Sequence, residues 1–491
     1  MKNFPKIAII CICLLFIAIC TSACGSSKTT PPQTFPYWLL TQNNNQQEEN
    51  NEEEPVITTE INLTLTDSKD AEKIATADIY YSGNTTKKSS ADDKEILKAT
   101  PNADDKTKFT VTVNGEVTNV KIKAILTYDN KGNLLDYFSS YNGVEATNGT
   151  YDIDFGNNTD NEAGFADGDG TDQKPYIISA PRHFVNINKQ DDEGNYLYLD
   201  KYFQQTEDID FSHLTGLKIV SADDDKDITV ETTNEKAPFY NDGHGITPIG
   251  VLGDLDTTAD AYKNSFKGIY DGNNKTIDGI MFVNPDTQYI SLFPGFAGDY
   301  LKNINIGSNS IIYINGISDK NHLCIGSFLT YSQNDKNTIT VENCVNNCKI
   351  ILKNSKNIET LCLAGLTSMN DNLVKSANCI NNGNISVIGN EIKYINVAGC
   401  FIINNASNNI VNNCTNNGII KIANNKTDGN SSKINVSGLY LDNPYIDYSS
   451  GSDPIVIPVD PNNPLNPIII PVDDSNPPFS FPADPIHILF P

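Results

Sequence analysis

The chain reads as an all-β protein, a parallel β-helix preceded by a small β-sandwich, on three observations. A segment recurs at a fixed 35-residue step between Cys344 and Cys414. Alternating apolar and polar stretches closed by Asn/Gly turns fill residues 56–155. Asn makes up about one residue in eight, and Asn disfavours helix interiors while suiting turns. The charge narrows the partners. With 61 acidic against 35 basic residues, the net charge is −26, which repels phosphate backbones, so no nucleic-acid partner is expected. Arg182 is the only arginine.

Residues 1–23 read as an export signal. Lys2 and Lys6 precede an apolar run from Ile7 to Ile19, too short to span a bilayer comfortably, and small residues lead to Cys24. Thr21-Ser22-Ala23-Cys24 resembles the lipobox of bacterial lipoproteins. That resemblance implies lipidation of Cys24 and a membrane partner through the lipid anchor; the alternative is an ordinary signal peptide cut near Ala23. Residues 24–55, with Gln/Asn runs and Glu52-Glu53-Glu54, bury too little to offset ordering entropy and read as a disordered acidic tether.

Residues 56–155 carry the sandwich signal. Thr59 to Thr66, Lys108 to Val113 and Val120 to Thr127 alternate with period two. Asn114-Gly115 predicts a hairpin turn, and Tyr128 to Asn133 a second turn. Strands this short over this length suggest an immunoglobulin-like or transthyretin-like sandwich, acting as spacer or binding module.

Residues 164–442 hold the repeat. Asn343-Cys344-Val345-Asn346-Asn347-Cys348, Asn378-Cys379-Ile380-Asn381-Asn382-Gly383 and Asn413-Cys414-Thr415-Asn416-Asn417-Gly418 nearly superimpose. Ahead of them stand Cys324-Ile325-Gly326, Leu363-Ala364-Gly365 and Val397-Ala398-Gly399, and Val436-Ser437-Gly438 begins a fourth unit. Fixed-period self-similarity means each unit buries its apolar face on its neighbour. Stacking would align like Asn residues into hydrogen-bonded ladders and turn Cys344, Cys379 and Cys414 inward as free thiols. Cys344 and Cys348 have no second Cys or His pair at ligand spacing, so no metal and no cofactor are expected. Ser179 to Val185 predicts a short capping helix with Ser179 as N-cap, Pro181 in its first turn and a structural role for Arg182. The segment from Ser221 to Gly245 interrupts the coils, with Asp223-Asp224-Asp225 as a solvated loop.

The alternation of a small-residue Gly motif with Asn-Cys-x-x-x-Gly resembles the GLUG-motif repeats of bacterial surface proteins. Gly168-Asp169-Gly170-Thr171 with Pro175 to Ser179, then Tyr202 to Phe211, then Phe266 to Ile277, resemble the opening coils of that class. The resemblance implies a right-handed β-helix of pectin-lyase-like shape on exported cell-surface proteins, and it does not fix an activity.

Sugar-cleaving enzymes share that shape and need paired carboxylates. Asn158-Thr159-Asp160, Gln190-Asp191-Asp192 and Gly243-His244-Gly245 resemble polygalacturonase fragments, but no Arg follows Arg182 to supply a late substrate clamp. Asp167, Asp169 and Asp172 miss the EF-hand spacing. No catalytic residue is assigned. Residues 443–491 carry twelve of the 24 prolines and repeat Ile-Pro-Val-Asp at 457–460 and 470–473, reading as a Pro-rich tail or cap. The expectation is a non-enzymatic surface protein, lipid-anchored to the bacterial outer membrane or cell surface. Its candidate ligands are a glycan or a host protein, as for an adhesin. The alternatives are a carbohydrate-active enzyme and an architectural envelope component.

Overall fold

The computed structural model describes residues 58–85, 96–220, 228–253, 261–332, 338–370, 373–403, 410–423, 433–442 and 468–469, all within the compact unit Val56–Pro491. Cys24, the export signal, the tether, Asp223-Asp224-Asp225 and the Pro-rich tail apart from Ile468–Ile469 lie outside the described residues.

Seven strands open the unit: β1 (Thr58–Thr66), β2 (Thr76–Thr85), β3 (Ile96–Ala99), β4 (Lys108–Asn114), β5 (Val117–Tyr128), β6 (Leu134–Glu145) and β7 (Thr150–Asp154). They form two sheets, ordered β4-β1-β7 and β3-β2-β5-β6. The period-two alternation places Ile61, Leu63 and Leu65 of β1 and Phe109, Val111 and Val113 of β4 in one buried core with Ile79, Ile122 and Ile125 of the facing sheet. The two faces make a small β-sandwich.

The hairpin expected at Asn114-Gly115 is not formed. β4 pairs with β1 and β5 pairs with β2, so this dipeptide carries the chain from one sheet to the other. Only Gly115 takes a positive φ, where a two-residue type I′ turn needs one at both positions. Thr59 fixes the corner instead: its hydroxyl donates to Gly115 O at 2.9 Å and accepts from Val117 N at 2.9 Å. The second expected turn does join β5 to β6. The Asp129 carboxylate closes it by accepting from the N–H groups of Lys131 and Asn133.

From Tyr176 onward the chain winds into stacked coils, a parallel β-helix. Five rows of strands run along the stack, and every strand pairing within them is parallel. The coil at 338–370 illustrates the unit, with strands Thr338–Glu342, Val345–Asn346, Lys349–Lys353, Lys356–Ala364 and Thr367–Asn370, one in each row. One apolar core runs through the stack. It begins on Phe165, Phe184, Phe203, Phe211 and Phe266 and continues on Ile350, Leu363, Ile385, Val397 and Ile420. Ile468–Ile469 pairs with Ile420–Lys421 and extends one row by a sixth strand.

The 35-residue step is one coil, and the asparagines pile in register. Asn343, Asn378 and Asn413 each donate Nδ2 to the Asn Oδ1 of the coil before, at 3.0, 3.0 and 3.4 Å, down to Asn303, which donates to Asp271 at 2.8 Å. All four asparagines hold φ between 52° and 57°, a left-handed region that Asn tolerates. A second, buried ladder joins Asn346, Asn381 and Asn416 at 2.8 Å per step. A third, outer ladder joins Asn347, Asn382 and Asn417 at 2.9 Å. Cys344 and Cys379 are buried beside these turns and Cys414 half-buried. All seven cysteines from Cys324 to Cys414 are free thiols.

Two local expectations shift. Cys324 pairs with Cys362 and Gly326 with Ala364, so Cys324-Ile325-Gly326 stands one residue out of register with the Gly365 and Gly399 motifs. Those glycines are required by close approach, since a Cβ on Gly365 would meet Gly399 O at 2.1 Å and one on Gly399 would meet Gly438 O at 1.9 Å. In the coil that carries Cys324, Ser327 occupies that place and donates to Gly365 O at 2.6 Å. The capping helix spans Pro181–Asn186 with Pro181 at N1, but Ala180 is its N-cap and no side chain caps it. Ser179 lies one residue outside, its N–H taken by His183 Nδ1 at 3.2 Å.

A candidate site at the junction of sandwich and coils

The sandwich is seated on the first coils by an apolar seam and by Arg182. Along β5, Ala124, Leu126 and Tyr128 turn away from the sandwich core and pack with Tyr80 against Leu214 and Ala237 of the coil region. Asn234 donates to Tyr128 Oη at 2.8 Å, and Ser139 to Asp210 O at 2.7 Å. At the second contact, Arg182 holds Asp160 through Nε and Nη2, both at 2.8 Å. Its remaining donors reach Phe155 O and Gly156 O at the end of the sandwich.

The same contact assembles Ser179, His183 and Asp160. His183 Nε2 lies 2.8 Å from Asp160 Oδ1, and Ser179 Oγ lies 3.3 Å from His183 Nδ1. This has the membership of a nucleophile–base–acid array, but not its disposition. Nδ1 already accepts the Ser179 N–H, and Asp160 is shared with the guanidinium, which opposes an imidazolium. Burial pushes the His183 ring below its ordinary value against the opposing pull of Asp160. Burial alone would raise the Asp160 carboxyl, yet hydrogen bonds and charge from Arg182 and His183 hold it below the usual carboxylate range. The group works as a pin between helix and sandwich.

Along the apolar seam, sandwich and coils border a cleft of about 750 Å³. Its floor holds Asp210 and Asp278, in-register neighbours on adjacent coils. Asp210 Oδ1 accepts from Ser212 N at 2.8 Å. Both Asp278 oxygens are taken by Asn309, through its N–H at 2.9 Å and its Nδ2 at 2.7 Å. Burial still pushes the Asp278 carboxyl up, and the Asp210 carboxylate adds to this. Tyr141 borders the cleft, its hydroxyl pushed up by burial and then by Asp278, Asp208 and Asp210. His213 stacks on Tyr80 with ring centroids 4.7 Å apart at 25°. Lys123 and Lys218 also line it.

The polygalacturonase-like fragments are not brought together. Asp160 belongs to the pin. Asp191 closes a tight loop by accepting the N–H groups of Glu193 and Asn195. His244 Nδ1 lies 2.9 Å from Val283 O. Asp167 pairs with Lys174, and Asp169 accepts from Thr171. Among the described residues no three His, Cys, Asp or Glu are grouped to hold a metal ion. The cleft carboxylates carried one sequence signal that went unread: Ile209-Asp210 and Ile277-Asp278 repeat the same doublet at one coil position.

The chain matches no protein-family model and no curated protein. Among solved structures, one described as a "putative immunoglobulin A1 protease from Bacteroides ovatus" aligns over 60% of this chain and 85% of that one, at 14% identity and a TM-score of 0.28. A likeness that slight carries no inference about this chain.

Proposed function

We propose that the chain is an exported bacterial surface protein, lipid-anchored through Cys24, that binds ligand without transforming it, in the manner of an adhesin. The observation that supports this reading is how the coils spend their polar side chains. Three Asn ladders run from coil to coil, and Arg182 pins the sandwich to the first coils. Such an arrangement makes a stiff platform behind a lipobox-like N-terminus and an acidic tether. The GLUG-like alternation agrees with surface display. The test is protease shaving of intact cells with wild-type protein and Cys24→Ala. The wild type is expected in the membrane fraction and cleaved from outside, and the variant released from the membrane. Membrane retention of the variant would sink the anchor, and protection from protease would sink the display.

A carbohydrate-active enzyme is the second reading, favoured by the adjacent Asp210 and Asp278 carboxylates in a cleft. Release of reducing ends from neutral glycans, lost in Asp278→Asn, would install it in place of the first.

A further inference from the structure

We infer that the cleft between the sandwich and the first coils binds a short neutral oligosaccharide. This rests on the ligand-binding reading above and gives it a site and a ligand class. At about 750 Å³ the cleft falls within the usual size of small-molecule sites, roughly 300–1,000 Å³. It is walled by two bodies held together by the apolar seam and the Arg182 pin, so its shape exists before any ligand arrives.

The lining chooses the chemistry. Asp210 spends Oδ1 on Ser212 N, and its carboxylate faces the cleft beside Asp278. A carboxylate accepts hydrogen bonds from adjacent hydroxyls on one ring. Ser212, whose N–H already holds Asp210, adds a hydroxyl to the cleft lining, and its Oγ makes no hydrogen bond among the described residues. Tyr141 and His213, the latter backed by the buried ring of Tyr80, supply the aromatic surface on which the C–H face of a pyranose packs. Asp210 and Asp278 are matched by Lys123 and Lys218, and the chain as a whole carries −26, so an acidic sugar is disfavoured. A cation is poorly served, because Asn309 already occupies both oxygens of Asp278.

The test is calorimetric titration of the full chain with cellotriose, maltotriose and mannotriose, and with trigalacturonate as the acidic control. At least one neutral trisaccharide should bind with Kd below about 1 mM. Asp210→Asn and Tyr141→Ala should each weaken that binding at least about tenfold, a loss of roughly 1.4 kcal/mol. Tyr141 is half-buried at the cleft rim, so its variant keeps the test valid if Asp210→Asn fails to fold. Absence of binding by all three sugars, unchanged affinity in a folded variant, or tighter binding of trigalacturonate would each overturn the assignment. Display and sugar binding fail separately, because the titration uses purified protein and the shaving uses intact cells.

Discussion

Asn381 and Asn382 are neighbours in sequence with opposite exposure, and the difference sets what each is worth. Asn381 is fully buried; it donates to Asn416 Oδ1 and accepts from Asn346 Nδ2, both at 2.8 Å, while its Oδ1 also takes Gly383 N. Asn382 donates to Asn347 at 2.9 Å on the exposed face, where water can replace the bond. Removing a buried ladder rung leaves amide groups of two coils short of a partner, at about 1–3 kcal/mol for each such group. Asn381→Ala should therefore lower stability by about 2–4 kcal/mol and Asn382→Ala by less than about 1 kcal/mol. Urea midpoints of the two variants check this, and equal losses would mean that the buried ladder adds nothing beyond its outer counterpart.

At the scale of elements, the pin at Arg182 joins a six-residue helix to the end of the sandwich, and its strength depends on pH. Asp160 is held below its unfolded value, so its contribution is present above about pH 4 and is lost as pH falls through the folded value. His183 is also depressed, so the unfolded chain protonates first, and stability falls as pH drops below about 6.5. Asp136 is raised by burial and acts in the opposite sense. Asp160→Asn isolates the first effect. At pH 7 the variant should lose roughly 2–4 kcal/mol, because the guanidinium keeps its desolvation without its partner. The gap to wild type should narrow toward pH 3 in melting experiments; a gap constant with pH would remove Asp160 from the pin. The ladders were legible in the sequence because a residue that must repeat one dihedral and one bond in each coil repeats in the chain, as Asn343, Asn378 and Asn413 do. The sheet crossing at Asn114-Gly115 was not legible, since the dipeptide suits a hairpin and only the Thr59 hydroxyl, 56 positions before Gly115 in the chain, shows otherwise. The cleft was hidden for a plainer reason: Tyr80 and Tyr141 come from the sandwich strands and Asp210 and Asp278 from the coils, and no local spacing encodes their meeting.

Across the whole stack, each coil is held by its neighbours, so stability is close to a sum of nearest-neighbour terms. The two ends differ. The first coils are filled with Phe165, Phe184, Phe203, Phe211 and Phe266 and covered by the helix and the sandwich. The last coil rests on the one before it, and among the described residues only Ile468–Ile469 pairs with its far side, on one of the five rows. Loss of structure should therefore start at the C-terminal coils and travel back. Cys344, Cys379 and Cys414 report on this in place, because they occupy the same position in three successive coils. Hydrogen bonding to the thiol of the preceding coil pushes both Cys379 and Cys414 up, which slows their reaction in the native state. With maleimide labelling in rising urea and peptide mass spectrometry, Cys414 should react first, Cys379 next and Cys344 last. Simultaneous labelling of all three would show that the stack opens as a single cooperative unit and that its aromatic end lends no extra hold to the coils nearest it.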